Sequence, residues 1–308
     1  MGEQRLLLHV GYHKTGSTWL QKRFFDDPRF GFERLAKNFA ARPALVHPSA
    51  LEFDRHDAAD LIAQVEDASA NDRIPVISDE RLSGNPFSGG FDSKEIAERL
   101  AAVFPAAKIL IVVREQRDVL YSVYDEYVRE GGACGIETFL NPPTRYAIPP
   151  FRLGHFRYHR LVELYQRLFG VENVRVLAYE QFAQQPESFL EDICEYAGVK
   201  SDHQISVPNR RDNARRAPSW LAVQRRLNYF IRADDLNAYS IFAIRGIEWR
   251  LSKLIDQPPK IQPQWLDRRI GNSINDAIDR AAAGEFAASN RALAELVDID
   301  LAAFGYEV

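Results

Sequence analysis

The chain has 308 residues and a mass of 35.2 kDa, 46% of them hydrophobic and 27% charged, a balance that excludes disorder and fibrous folds and allows a sizeable core. Lys and Arg number 39 against 43 Asp and Glu, a net charge of −4, so no global positive field exists to hold nucleic acid or an anionic membrane. Any anionic ligand has to be gripped locally. Cys134 and Cys194 stand far apart without metal-type spacing, which gives neither a disulfide framework nor a zinc site and fits a reducing compartment. The longest purely apolar run, Ile109 to Val113, falls far short of the roughly 20 residues that span a bilayer. The opening Met-Gly-Glu-Gln-Arg-Leu carries neither a signal-peptide core nor a myristoylation motif, so a cytoplasmic location is expected.

In chain order, Arg5 to Val10 is the first short apolar run and reads as a strand. It runs into Gly11-Tyr12-His13-Lys14-Thr15-Gly16-Ser17-Thr18-Trp19, which opens a helix through Leu20 and Phe24. Glycines let backbone N–H groups close on phosphate oxygens, the helix N-terminus adds a partial positive charge, and Lys14 adds a mobile full one. A Walker A loop would place lysine after the second glycine; here Lys14 precedes Gly16 and Ser17 follows it, so this is a phosphate loop of another kind.

Ile74 to Ser78 is the second strand and leads into Asp79-Glu80-Arg81. Asp92-Ser93-Lys94-Glu95 resembles a capping box ahead of Ile96, Leu100 and Val103 at helical spacing. Lys108 to Val113 is a third strand ending at Arg114, with Ser122 eight positions later on the next helix. Asn141-Pro142-Pro143 and Pro149-Pro150 mark a stiff connection, expected to border a ligand cleft. Val174 to Ala178 is a fourth strand, and Pro186 opens and Gly198 closes the helix behind it. Alternating strands and helices predict an α/β fold: a single domain over 1–308, with a mostly parallel central sheet flanked by helices. Within it, 1–200 form the α/β core, 201–217 a basic loop containing Asn209 to Arg216, and 218–308 a mainly helical extension with Trp220, Tyr229, Phe230 and Trp249.

The Gly11–Trp19 loop and the Arg114/Ser122 pair resemble the two signatures of the sulfotransferase family, a 5′-phosphosulfate loop after the first strand and a strand-end arginine with a serine eight positions on. His13 stands where the family usually has proline, and Gln116 stands where proline is common. The resemblance spans most of the first 200 residues. It implies 3′-phosphoadenosine 5′-phosphosulfate as donor, adenosine 3′,5′-bisphosphate as product, in-line sulfuryl transfer and no metal. Lys14 is then the electrophilic catalyst at the leaving oxygen, and Thr15, Gly16, Ser17 and Thr18 hold the 5′-phosphate. Arg114 and Ser122 read the 3′-phosphate, with Arg210 and Arg211 of the basic loop as further phosphate ligands. Trp19 is a candidate for stacking on adenine, with core packing as the equal alternative.

The acceptor hydroxyl needs a base, for which Glu80 is the first candidate and His13 the second. Ion pairing with Arg81 or capping of a turn is the structural alternative for Glu80, and shaping of the turn that for His13. A histidine in the strand, His9, reads as a core residue. Tyr121, Tyr124, Tyr127, Phe139, Tyr146 and Phe151 offer an acceptor platform or, at that spacing, core. With glutamate as base, the expected acceptor is a carbohydrate or glycolipid hydroxyl. The sequence assigns no oligomeric state. Two other functions compete: a P-loop kinase, since Val76-Ile77-Ser78-Asp79-Glu80 resembles a Walker B strand, and a non-catalytic nucleotide-binding protein of the same fold.

Overall fold

A computed structural model describes residues 5–70, 73–143, 149–199, 216–231 and 263–308. The chain divides into two compact units, one comprising Met1–Glu115, Gly154–Asp212 and Phe286–Val308, the other Gln116–Leu153 and Asn213–Glu285.

The first unit is built on a five-stranded sheet, β1 (Leu7–His9), β2 (Phe32–Leu35), β3 (Ile74–Ser78), β4 (Lys108–Val113) and β5 (Val174–Ala178), in the order β2-β3-β1-β4-β5. Every pairing is parallel, with rungs such as Phe32↔Ile74, Leu8↔Ile77, Leu8↔Ile109 and Ile111↔Val176. Parallel strands covered on both faces need continuous apolar runs rather than alternation. β1, β3 and the Ile109–Val113 stretch of β4 meet that demand with every residue buried. The expected strands at 74–78, 108–113 and 174–178 coincide with β3, β4 and β5, and the Arg5 to Val10 run contains β1. β2 was not expected: it is an edge strand, Phe-Glu-Arg-Leu, with only Phe32 fully buried, so its pattern lacks the apolar run of its neighbours.

One face of the sheet packs on an aromatic cluster of Trp19, Phe24, Phe25, Phe30 and Phe32 together with Phe189, Leu190 and Ile193 of the helix Pro186–Ala197. Gly198 ends that helix in the left-handed conformation expected of a C-cap glycine. The helix after β1 corrects the expectation in one detail: Ser17–Trp19 is α-helical, but Leu20–Phe25 winds as a π-helix, which places Phe24 and Phe25 side by side in the core. The capping box at Asp92 is also corrected. Asp92 sits before the helix Ser93–Val103 without a side-chain cap, because its carboxylate is taken by Arg81 and by the Asn85 amide, and Glu95 pairs with Arg99 instead.

The second unit is helical among its described residues, with Gln116–Arg129, Ile136–Leu140, Pro218–Ile231 and Gln264–Ala282. Asn228 donates its amide to the carbonyls of Val128 and Gly132, satisfying acceptors left over at the end of Gln116–Arg129. No helix among the described residues is long and apolar enough to cross a membrane.

Candidate active site

Because the strands are parallel, the segments that follow them leave the sheet at one edge, where ligands of open α/β sheets bind. The ladder between β1 and β4 continues past β1, with Val10 and Tyr12 donating to Leu110 and Val112, and delivers the chain into the Gly11–Thr18 loop. Thr15 is 1% exposed and donates its hydroxyl to the Tyr12 carbonyl at 2.6 Å, closing the loop on itself. Lys14 adopts φ +67° and Gly16 φ +85°. A left-handed lysine costs about 1–2 kcal/mol, strain of the kind stored at functional sites. Gly16 has a second reason to lack a side chain, since a Cβ there would stand 3.1 Å from the Tyr179 ring.

Trp19 and Leu20 both return their amides to the Gly16 carbonyl. The amides of Thr15, Gly16, Ser17 and Thr18 donate to no backbone carbonyl among the described residues, as at any helix N-terminus. That cradle suits a phosphate. Trp19 itself is 8% exposed, its ring 4.8 Å from Phe182 within the core cluster, the placement that core packing calls for.

The β1–β3 rung His9↔Ser78 sets Gly11 and Glu80 two residues beyond paired positions. The rung is reinforced by side chains: His9 Nδ1 and Ser78 Oγ lie 2.7 Å apart, and Gln21 donates to both the carbonyl and the hydroxyl of Ser78. His9 is a core residue, 1% exposed, but only half satisfied, since its Nε2 has no hydrogen-bond partner among the described residues. Burial lowers its pKa to about 4, so the imidazole is neutral.

After β3, both carboxylate oxygens of Asp79 accept from the Arg42 guanidinium at 2.7 Å, and Asp79 also caps the short 3₁₀ turn Glu80–Ser83 by accepting from the Arg81 amide. Arg81 in turn pairs with Asp92. Neither structural alternative for Glu80 is realised: Arg81 belongs to Asp92, and the cap is Asp79. The Glu80 carboxylate, half-buried at the start of the turn, makes no hydrogen bond or ion pair among the described residues. His155, absent from the sequence reading, packs 5.1 Å from the Tyr12 ring. Burial, reinforced by the charges of His13 and Arg81, lowers its pKa to about 3.

After β4, Arg114 reaches back to the phosphate loop, donating Nη1 to the Lys14 carbonyl at 3.0 Å, while its guanidinium lies 4.7 Å from the centre of the Tyr179 ring. The next residue, Glu115, donates its amide to the Glu180 carboxylate at 3.0 Å. Burial raises the pKa of Glu180 above the ordinary carboxylate value, against the lowering effect of that hydrogen bond and of nearby Arg114. Glu180 is another residue missed from sequence, although it follows β5 as Glu80 follows β3 and its strand-end position was the available signal.

In the second unit Ser122 is buried and donates its hydroxyl to the Asp118 carbonyl one turn back. Tyr121, Tyr124, Tyr127, Phe139 and Phe151 are all buried there, with Tyr124, Tyr127 and Phe151 each ringed against Phe139. They are packed as core rather than displayed as a platform. Tyr146, Arg210 and Arg211 lie outside the described residues. Those described hold no group of three or more His, Cys, Asp or Glu arranged for a metal ion.

Residues 94–203 match the model described as the sulfotransferase family. The matched segment includes β4, Arg114, Ser122 and β5; the phosphate loop precedes it. No curated protein gives a match. Among solved structures, a sulfotransferase from Alicyclobacillus acidocaldarius is similar at 20% identity and a TM-score of 0.48, over 73% of this chain and 95% of that one. Mouse sulfotransferase SULT7A1, complexed with PAP, is similar at 14% and 0.39, over 95% and 89%. The sulfotransferase domain of the Synechococcus PCC 7002 olefin synthase is similar at 14% and 0.41, over 87% and 93%. The similarity to the sulfotransferase family model lies in this segment, which carries the strand-end arginine and the following serine.

Proposed function

We propose that the protein transfers a sulfuryl group from 3′-phosphoadenosine 5′-phosphosulfate to an acceptor hydroxyl, on a carbohydrate or glycolipid. The observation that carries this reading is the contact of Arg114 with the Lys14 carbonyl, which joins the strand-end arginine to the Gly11–Trp19 loop and so supports a shared anion site. The donor supplies an activated sulfuryl group. The amides of Thr15 to Thr18 and the hydroxyls of Ser17 and Thr18 hold its 5′-phosphate, and the Lys14 ammonium stabilises charge that builds on the leaving oxygen. Arg114, with Ser122 and an arginine of the pair Arg210 and Arg211, binds the 3′-phosphate through planar guanidinium forks. Glu80 takes the acceptor proton, a role supported by its disengaged carboxylate, with His13 as the alternative base. We further propose that both compact units serve this one activity as parts of a single domain.

The kinase reading is weakened by Asp79. A Walker B aspartate must be open to a magnesium shell, whereas both oxygens of this one are occupied by Arg42.

Calorimetry tests the reading. Adenosine 3′,5′-bisphosphate without metal should bind more tightly than magnesium-ATP, and Arg114→Ala should lose roughly 2 to 4 kcal/mol with the 3′-phosphorylated ligand and little with its dephosphorylated analogue. Mass analysis of donor-loaded reactions with carbohydrate acceptors should show a sulfuryl gain. Preference for magnesium-ATP, or equal losses for both ligands on removal of Arg114, would overturn it.

A further inference from the structure

The peptide that joins Arg114 to Glu115 is restrained from several sides. The Arg114 carbonyl accepts from the Tyr158 hydroxyl at 2.6 Å, the Glu115 amide donates to Glu180 Oε1 at 3.0 Å, and the Arg114 side chain spans to the Lys14 carbonyl at 3.0 Å. The second oxygen of the same carboxylate, Glu180 Oε2, accepts from the hydroxyl of Tyr306 at 3.1 Å. Tyr306 is 4% exposed, and its neighbour Glu307 is held by the Asn290 amide, which donates to its carbonyl at 2.8 Å.

Both phenols depend on one helix. Tyr158 immediately precedes His159–Phe169, and that helix carries the segment that delivers Tyr306, through His159 Nδ1 and Ser289 Oγ at 2.7 Å and through Gln166, which donates to the Leu296 carbonyl at 3.2 Å. A carboxylate accepting from a backbone N–H on one oxygen and a phenol on the other has little rotational freedom left. Removing the phenol would free Glu180 to turn, loosening the Glu115 amide and with it the backbone from which the arginine projects.

We propose that Tyr306, acting through Glu180, is a positioning residue that aims the Arg114 guanidinium at the 3′-phosphate of the donor. The proposal rests on the sulfotransferase reading of the site. It ties the quality of that anion contact to a residue nearly 200 positions away in sequence, on a segment with no phosphate-binding residue of its own.

The test is calorimetry of Tyr306→Phe, which removes one hydroxyl and keeps the ring, with adenosine 3′,5′-bisphosphate and with adenosine 5′-monophosphate. Affinity for the bisphosphate should fall about three- to tenfold, the scale of one hydrogen bond, while that for the monophosphate stays within about twofold. Glu180→Ala should lose at least as much bisphosphate affinity, and adding Tyr306→Phe to it should cost nothing further, because the two residues act in series. The Glu180→Ala pair keeps the test decisive if Tyr306→Phe alone does not fold. A lower melting temperature with unchanged preference for the bisphosphate would make Tyr306 structural and overturn the proposal. Equal affinities of the unaltered protein for the two nucleotides would overturn instead the functional reading on which it rests.

Discussion

The loops after β1 and β3 start from the paired residues His9 and Ser78, yet they are held in opposite ways. Gly11–Thr18 presents its backbone: strain at Lys14, a glycine at Gly16 and the Thr15 hydroxyl shape a ring of amides that meet no backbone acceptor among the described residues. Asp79–Gly84 presents a side chain: Arg42, Asp79, Arg81 and Asp92 form a chain of ion pairs and caps that fixes the turn and leaves Glu80 outside it. The contrast matches two chemical tasks. An anion is bound well by many fixed dipoles, whereas a proton acceptor needs one side chain kept out of every competing pair.

The sharpest way to break this comparison is Glu80→Gln, which keeps shape and removes basicity. Turnover should fall by about 10² to 10⁴ while bisphosphate binding stays nearly unchanged. Rates within a few-fold of the unaltered enzyme, beside an inactive His13→Asn of normal stability and donor affinity, would move the base to the other loop and remove the argument for a carbohydrate acceptor. Next in size is Lys14→Ala, expected to lower kcat by about 10²-fold or more with a smaller loss of donor affinity. Near-normal kcat with only a raised KM would reduce Lys14 to a binding residue.

The last effect is on stability rather than rate and concerns the buried histidines beside the two loops. His9 and His155 have pKa values lowered from 6.5 to about 4 and about 3, so between pH 6.5 and 4 the unfolded chain binds protons that the folded chain refuses. Stability should therefore fall as pH drops through that window, by at most about 1.4 kcal/mol per pH unit for each histidine. Melting curves from pH 7 to 4.5 should be flatter for His155→Gln than for the unaltered protein. Parallel curves would mean that His155 is not kept neutral by burial.

The Gly11–Trp19 loop, Arg114 at the end of a strand and four of the five strands were legible because each is a local pattern: a glycine–lysine–serine spacing on a strand-to-helix junction, or an apolar run long enough to cross a covered sheet. β2 was not, since an edge strand needs only one buried side and Phe32 alone supplies it. Asp92 shows how a local signal fails. Its spacing to Glu95 is that of a capping box, but Arg81, eleven residues earlier, offered its carboxylate a charged partner inside the protein, and the stronger hydrogen bond prevailed. The aromatic spacing of Tyr121 to Phe151 was equally consistent with a platform or a core, and packing against Phe139 decided for core.

By itself, then, the order of residues determined which groups are present: a glycine- and lysine-containing loop after the first strand, a strand-end arginine and a glutamate after a strand. Only the tertiary structure decided which of these groups are engaged and by what. It assigned Asp79 to Arg42 and left Glu80 disengaged, brought the Arg114 guanidinium to the Lys14 carbonyl, and tied Tyr306 to Glu180 across 126 positions. The reason is physical. Spacing along a chain fixes neighbours within a turn or two, whereas the partner of a buried charge is chosen by whichever distant group the packed strands bring within about 3 Å.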